Sequence, residues 1–480
     1  MASIIPKPSY PVVTSLIEAG LHVLTPTDPD YVSREESYWS KTAKLGPICI
    51  VQPKTPDEVS QTLNVLVAAQ EKFAIRGGGH SPGVGTNNIT GGVTIDLGLM
   101  DKNYLGNDAK TVTIGAGGRF KNVYQELAKH GLAAVGSREG NVGVGGFILG
   151  GGNSWFTSRY GWACDNVVAY QIVLADGRII TADKDNHSDL FQALKGGSNN
   201  FGIVTNFTIK TVPCSQVWGG VAVSPKEAIP QLIDVTWNFT EDVPQYRDSN
   251  LIVVLGYFPD FKDNVASTAV LDTRGVENGP AYEHWAKLPK IADTVKPTTI
   301  FNMSTDMTLP PKYHDAWFTL CFKNDRRIMA KASEVHSSMV EELKAHVPDG
   351  DFLTQCIFQP VPTLFAQNSL ASGGNVLGIE RNKENCILFQ ISTMMKTPEQ
   401  LAFAYAKLSA CVETVKQYAA SVDGLTEWNY MNYADKSQNV LSSYGADNVK
   451  KMKDVAAKYD PQQVFQKLCP GGWKISDVSL

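Results

Sequence analysis

The sequence predicts an α+β protein of two domains. Three observations predict it. A chain of 480 residues is long enough for two or three domains of ordinary size. Its glycines cluster in the first 200 residues, at Gly77-Gly78-Gly79, Gly91-Gly92, Gly117-Gly118, Gly143-x-Gly145-Gly146, Gly150-Gly151-Gly152 and Gly196-Gly197. From about residue 215 the pattern changes to strand-like runs with helical stretches between them, the mark of helices gathered on one side of a sheet.

The elements follow in order. Thr55-Pro56-Asp57-Glu58 reads as a helix start: a capping threonine, a proline in the first turn and two acids at the positive end. That helix runs to about Gln70. Residues 73–75 form a short strand that enters Arg76-Gly77-Gly78-Gly79-His80-Ser81. Residues 93–97 and 111–114 alternate and read as strands. Residues 119–130 are helical, with Gly131 as the stop. Residues 171–174 and 178–181 flank Asp176-Gly177, a strong hairpin turn. Residues 203–212 form a strand broken by Pro213. Further strands are expected at 217–223, 251–258, 316–322, 352–358 and 386–392, with helices near 326–346 and 397–420. The amphipathic stretch 449–459 ends at Asp460-Pro461, a boundary signal.

Composition removes several function classes. Hydrophobic residues at 43% and charged residues at 19% describe a globular chain. The net charge of -5, without a basic block, argues against a nucleic-acid binder. No run of about 18 apolar residues exists, so no membrane helix is expected. Pro6, Pro8 and Pro11 stand where a secretory signal needs its apolar stretch. The chain therefore reads as cytoplasmic, with secretion left open. Eight cysteines, at 49, 164, 214, 321, 356, 386, 411 and 469, form no C-x-x-C and no metal-type cluster. They read as free thiols in a reducing compartment. The N-x-S/T triplets at Asn88, Asn186, Asn206, Asn238 and Asn302 are within chance in a chain this long.

The usual catalytic and nucleotide signatures are absent: no P-loop, no G-x-G-x-x-G after a strand, no H-E-x-x-H, no G-x-S-x-G. The glycines serve another cradle. A strand running into Arg76-Gly77-Gly78-Gly79-His80-Ser81 can aim successive backbone N–H groups at a pyrophosphate. The plainer reading is a loop-rich domain with tight turns and a surface histidine.

This segment resembles the cofactor loop of the FAD-linked oxidases of the vanillyl-alcohol oxidase and p-cresol methylhydroxylase superfamily. In that family the loop histidine carries the flavin through its 8α-methyl carbon, and His80 stands at that position. A second stretch, Gly140-Asn141-Val142-Gly143-Val144-Gly145-Gly146-x-x-x-Gly150-Gly151-Gly152, then Tyr160-Gly161-x-x-Cys164-Asp165-Asn166-Val167, looks like the flavin-facing loop of the berberine-bridge-enzyme-like branch. The resemblance implies a second link from Cys164 to flavin C6, with Asp165-Asn166 matching the branch at the cofactor site and Asn166 helping to fix the loop beside the ring; the alternative for Cys164 is a buried inert thiol. A third segment, Gly196 to Thr205, resembles the family's approach to the adenine half, through Gly202, Ile203 and Val204. In the tail, Asn429-Tyr430-Met431-Asn432-Tyr433-Ala434-Asp435 is similar to the family's Y-x-N-Y segment. There Tyr430 takes the place of the general base and Asn432 helps hold the flavin region; the alternative is that Tyr430 packs and orients substrate. A tyrosine of ordinary pKa, about 10, needs a cation or a donor to act as a base. Only Lys436 is near in sequence.

The resemblance implies an FAD-binding domain of the p-cresol methylhydroxylase type at 43–213, a substrate domain at 214–424 with an antiparallel sheet covering the flavin, and a segment at 425–480 returning to the first domain. It implies an oxidase of a bulky natural-product alcohol or related carbon centre. Hydride passes to a bicovalent flavin, and oxygen takes the electrons as hydrogen peroxide. An oligosaccharide oxidase and a flavin-dependent oxidative cyclase are the alternatives. The expected partners are a small molecule and oxygen, with no nucleic acid and no membrane.

Overall fold

The computed structural model describes residues 10–479; Pro6 and Pro8 lie outside them, and Pro11 opens a short helix, Pro11–Glu18. The chain builds three sheets. The first has strands Val23–Leu24, Cys49–Val51, Val93–Asp96 and Phe73–Arg76 in that spatial order, with the last three parallel. The helix Pro56–Ala68 makes the crossover between two of them. Thr55 caps it by accepting from the Glu58 N–H at 3.2 Å, as its sequence predicts. The second sheet is antiparallel and ordered Asn103–Leu105, Thr111–Gly115, Ile203–Pro213, Val167–Val173, Ile179–Asp183, with Leu132–Ala134 pairing the far end of Ile203–Pro213. Pro213 does not break that strand. It is the strand's last residue, opposite Leu132, where a missing N–H costs no interior ladder bond. Gly131 stops the helix Phe120–Ala128 with φ at 67°.

The third sheet is antiparallel and larger. Its spatial order is Ala292–Asp293, Val217–Pro225, Asp263–Asp272, Ser249–Phe258, Leu353–Val361, Cys386–Met395 and His314–Lys323, with Lys296–Thr298 also on Val217–Pro225. The helices Ile229–Asp242, Arg326–His346 and Pro398–Ser421 cover one face. Alternation along Cys386–Met395 sets the two faces. Ile387, Phe389, Ile391 and Met395 pack among the helices, while Leu388, Gln390, Ser392 and Met394 face the other way. Each fully buried Ile or Phe contributes about 1.5–3 kcal/mol, so a one-residue slip that swapped the faces is strongly disfavoured.

The face without helices lies on the glycine-rich half, where Ile252, Ala269, Leu271, Ile357 and Leu388 join that half's core. After the helix Pro398–Ser421 the chain crosses back. Helix Ala446–Tyr459 docks on Ser188–Ala193, with Lys458 Nζ 2.6 Å and Tyr459 OH 2.8 Å from the Asp189 carboxylate. Asn200 donates to the Trp473 carbonyl and accepts from the Ile475 N–H. The segment 196–205 thus holds the tail. Among the described residues no helix is long and apolar enough to cross a membrane. All eight cysteines are free and buried.

Candidate active site

The loop after Phe73–Arg76 lies where the first two sheets meet. Arg76 does not point into it. Its fully buried guanidinium turns back to donate to the Arg34 carbonyl at 2.8 Å and to Ser37 Oγ at 2.7 Å, 3.7 Å over the Tyr38 ring. Arg76 is a strut under the loop rather than a ligand of it. Gly79 has φ at 66°, and a Cβ there would sit 2.8 Å from Arg76 Nε. Gly78 and Gly143 press backbone to backbone, so a Cβ on either would meet the other at 2.5 Å or less. No acceptor among the described residues takes the backbone N–H groups of Gly77, Gly78, Gly79, His80 or Ser81. A run of free amides at a glycine turn is an anion nest.

His80 closes this loop. Its ring lies flat on Trp39, with centroids 4.8 Å apart and planes 9° from parallel. Its Nε2 touches Glu139 Oε2 at 2.8 Å, with both side chains nearly buried. The pair is an ion-pair contact rather than a straight hydrogen bond, and Thr308 also acts on the carboxylate. Burial works against the Glu139 carboxylate, but His80 and the Asn141 N–H outweigh it and hold the group below the usual carboxylate range.

Tyr430 sits about the second glycine segment. Gly150 leaves the space that Asn432 fills, since a Cβ there would lie 2.0 Å from Asn432 Oδ1. Asn432 donates to the Phe147 carbonyl at 3.0 Å and to the Tyr430 hydroxyl at 3.1 Å. The same hydroxyl accepts from the Asn153 N–H at 2.8 Å. The Tyr430 ring is buried among Trp162, Trp428 and Tyr433. Burial raises the Tyr430 pKa far above its ordinary value, and Tyr433 adds to that; the Asn153 N–H, the Arg138 cation and Asn432 work in the other direction. Arg138 donates to the Tyr433 hydroxyl. The cation whose charge acts on Tyr430 is Arg138, not Lys436.

The helix-free face of the third sheet roofs this cluster. Asn153 Nδ2 reaches Gln359 Oε1 at 3.5 Å, and Ser392 Oγ reaches Gln355 Oε1 at 3.3 Å. Gln390 lies on the same face, with Trp317 and Asp315 on the neighbouring strand. Trp155 Nε1, Trp317 Nε1 and Asp315 Oδ1 are buried without a hydrogen-bond partner. A small cavity of about 20 Å³, lined in part by Arg138, Asn153, Trp155, Asn250 and Gln359, remains between the halves.

A family profile described as an FAD binding domain matches residues 47–183. The FAD-dependent monooxygenase drtC of Aspergillus calidoustus is 36% identical over 474 residues, which cover 97% of this chain and 90% of that one. The chain belongs to the family of FAD-dependent enzymes that includes drtC. The fold agrees. A xylooligosaccharide oxidase from Myceliophthora thermophila superposes with a TM-score of 0.76 at 19% identity, over 95% of this chain and 97% of that one. A glucooligosaccharide oxidase from Acremonium strictum, whose flavin is described as 6-S-cysteinyl and 8α-N1-histidyl, superposes with a TM-score of 0.75 at 17% identity, over 94% and 97%.

The residues of this FAD-dependent enzyme fit the cofactor. The Gly77–Ser81 amides suit a pyrophosphate, and the glycine contact at Gly78 and Gly143 keeps that approach open to backbone alone. Gly145 and Gly146 open a short helix above Ala116, and Val144 packs beneath it with its N–H on the Gly118 carbonyl. Other expected ligands contribute differently. Gly202 packs against Ile172, and Ile203 and Val204 are buried in the sheet, so only their main chain can meet a ligand. The Asn166 amide is held by the Tyr160 and Trp162 carbonyls. Asp165 accepts from Ser369 at 2.6 Å and Asn375 at 2.9 Å, which fastens helix Thr363–Ala371 to this half.

Among the described residues no contact joins Cys164 to His80. Its thiol is fully buried beside Asp165, Tyr170, Tyr444 and Lys195, none of which touches His80. Burial first, then the Asp165 charge, pushes the thiol well above its ordinary pKa, the reverse of what a thiolate nucleophile requires. The segment against the His80 loop offers that histidine the Glu139 side chain, and Gly143 meets Gly78 with backbone alone.

Proposed function

We propose that the protein oxidises a bulky natural-product alcohol or related carbon centre, with its FAD tied by one bond through His80 and oxygen as the electron acceptor. The observation that carries this reading is the run of free amides from Gly77 to Ser81 ending at His80. Bound FAD supplies the redox chemistry, accepting two electrons from substrate and passing them to oxygen. The chain's own residues do the rest. The amides hold the pyrophosphate. Trp39 fixes the imidazole plane, and Glu139 occupies Nε2. Trp317 and the amides of Gln355, Gln359 and Gln390 present an aromatic and polar face to a flat, hydroxylated molecule.

Tyr430 Oη takes the substrate proton. Its oxygen is held by the Asn153 N–H and Asn432, and Arg138 supplies nearby positive charge that favours the phenolate. A second reading makes Tyr433 the acceptor, because it is less buried and the Arg138 guanidinium bonds its hydroxyl directly. Anaerobic stopped-flow reduction of Tyr430→Phe and Tyr433→Phe separates the two: loss of the base costs about 10²–10⁴-fold. The name of the drtC relative raises monooxygenation as a rival outcome. Turnover in ¹⁸O₂ decides it. Unlabelled product with stoichiometric hydrogen peroxide supports the oxidase; labelled product refutes it. Oxygen uptake with aromatic or polyketide alcohols and none with oligosaccharides is the expected substrate pattern.

A further inference from the structure

We propose that Glu139 is the positioning residue for covalent attachment of the flavin: its carboxylate keeps the His80 proton on Nε2 and leaves Nδ1 as the attacking atom. The proposal rests on the reading above that His80 carries the flavin.

The geometry carries it in three steps. The Glu139 carboxylate oxygen lies 2.8 Å from Nε2, off the line of a hydrogen bond, and its negative charge favours a proton on that nitrogen over a bare lone pair. In the neutral ring, which holds one proton, that charge favours the proton on Nε2. Nδ1 has no partner among the described residues and keeps its lone pair. The ring cannot readily turn to exchange its nitrogens, because Trp39 covers its face and Trp39 is itself tied through Nε1 to the Leu309 carbonyl at 3.4 Å.

Glu139 is built to stay in place. Its N–H bonds Ser137 Oγ at 3.2 Å, and its Oε1 takes the Asn141 N–H at 3.0 Å. The next residue, Gly140, is pinned by its N–H to the Ser304 carbonyl at 2.9 Å. No hydrogen bond or ion pair links Glu139 to Tyr430, Asn432 or Asn153, so the site gives it no part in substrate oxidation.

The attachment balances as follows. The Nδ1–C8α bond forms and one C8α–H bond breaks, its electrons entering the flavin. The imidazole becomes cationic as it attacks, and the Glu139 charge beside Nε2 stabilises it until that proton leaves. Oxygen takes the two electrons with one hydrogen from the methyl group and one from the imidazole, and departs as hydrogen peroxide.

The test uses the full chain produced without riboflavin, then mixed with FAD and air. Covalent loading is followed by intact mass and by flavin retained after acid precipitation. Glu139→Gln should bind FAD but attach it about 10- to 100-fold more slowly, the range lost when a histidine loses its orienting carboxylate. Glu139→Asp should recover part of the rate. Attachment by Glu139→Gln within twofold of the parent overturns the proposal. A parent chain that never gains the mass of FAD overturns the underlying reading instead. If Glu139→Gln fails to fold, ¹⁵N shifts of His80 in the flavin-free parent decide alone: a proton on Nε2 is the expected result, and a proton on Nδ1 refutes the proposal.

Discussion

Asp315 offers a quantitative trial of the buried interface between the halves. Its carboxyl lies under the third sheet with Oδ1 unpartnered, and burial pushes its pKa up to about 7 although the Ser40 hydroxyl opposes this. In the unfolded chain the same group titrates near 3.9. A group whose folded pKa is raised stabilises the fold fully below the unfolded value and loses that contribution as pH rises through the folded one. The window is therefore about pH 4 to 7, and stability falls across it. Three units at 1.36 kcal/mol each give about 4 kcal/mol. Asp315→Asn removes the titration but adds an amide whose N–H groups lack partners, a cost of about 1–3 kcal/mol that is the same at every pH. The useful quantity is thus the difference between variant and parent at pH 8 minus that at pH 4, expected near 4 kcal/mol. With an unfolding entropy of about 2.1 cal/mol/K per residue, that is roughly 4 °C in Tm for a chain of this size. Thermal scans at the two pH values measure it. A Tm difference that does not change with pH would refute the buried, titrating Asp315.

Three further outcomes follow from the same site. His80→Ala should yield protein that releases all its FAD in acid, while Cys164→Ala should keep covalent FAD at the parental level; loss of flavin mass on the cysteine change would restore the second link. Anaerobic flavin reduction should rise with pH to about 10 without levelling, because the phenolate is the active form and burial holds Tyr430 above the ordinary tyrosine range; a plateau near pH 7 would point to another base. Arg138→Gln should slow that reduction and leave the oxygen half-reaction unchanged, as read by stopped-flow; equal rates would remove the cation from the mechanism.

Strong periodicity made much of the fold legible. The helix expected near 326–346 is Arg326–His346, and the Asp176-Gly177 hairpin joins Val167–Val173 to Ile179–Asp183. The strand Asp263–Asp272 escaped because alanine, serine and threonine dilute its apolar pattern. The helix Ile229–Asp242 escaped because Thr236, Trp237 and Thr240 are weak helix formers, and burial of Leu232 and Phe239 holds it instead. At the site, the glycine loop and His80 could be read directly. Arg138 and Glu139 could not: Arg138 meets Tyr433 across 295 residues of chain, and Glu139 meets His80 only through the packing of two sheets. Cys164 is buried beside Trp162 and Ala163, an apolar interior where a thiolate is disfavoured.

The route of the chain has a consequence for how such proteins diversify. Everything from Val217 to the end of Pro398–Ser421 is spliced into the glycine-rich half, which is resumed by Trp428, Tyr430 and the tail. The spliced part faces the candidate site chiefly with one sheet face, while the amides of Gly77–Ser81, His80 and Tyr430 all belong to the host half. Side chains such as Gln355, Gln359 and Gln390 can therefore be rewritten as a cassette with two joints.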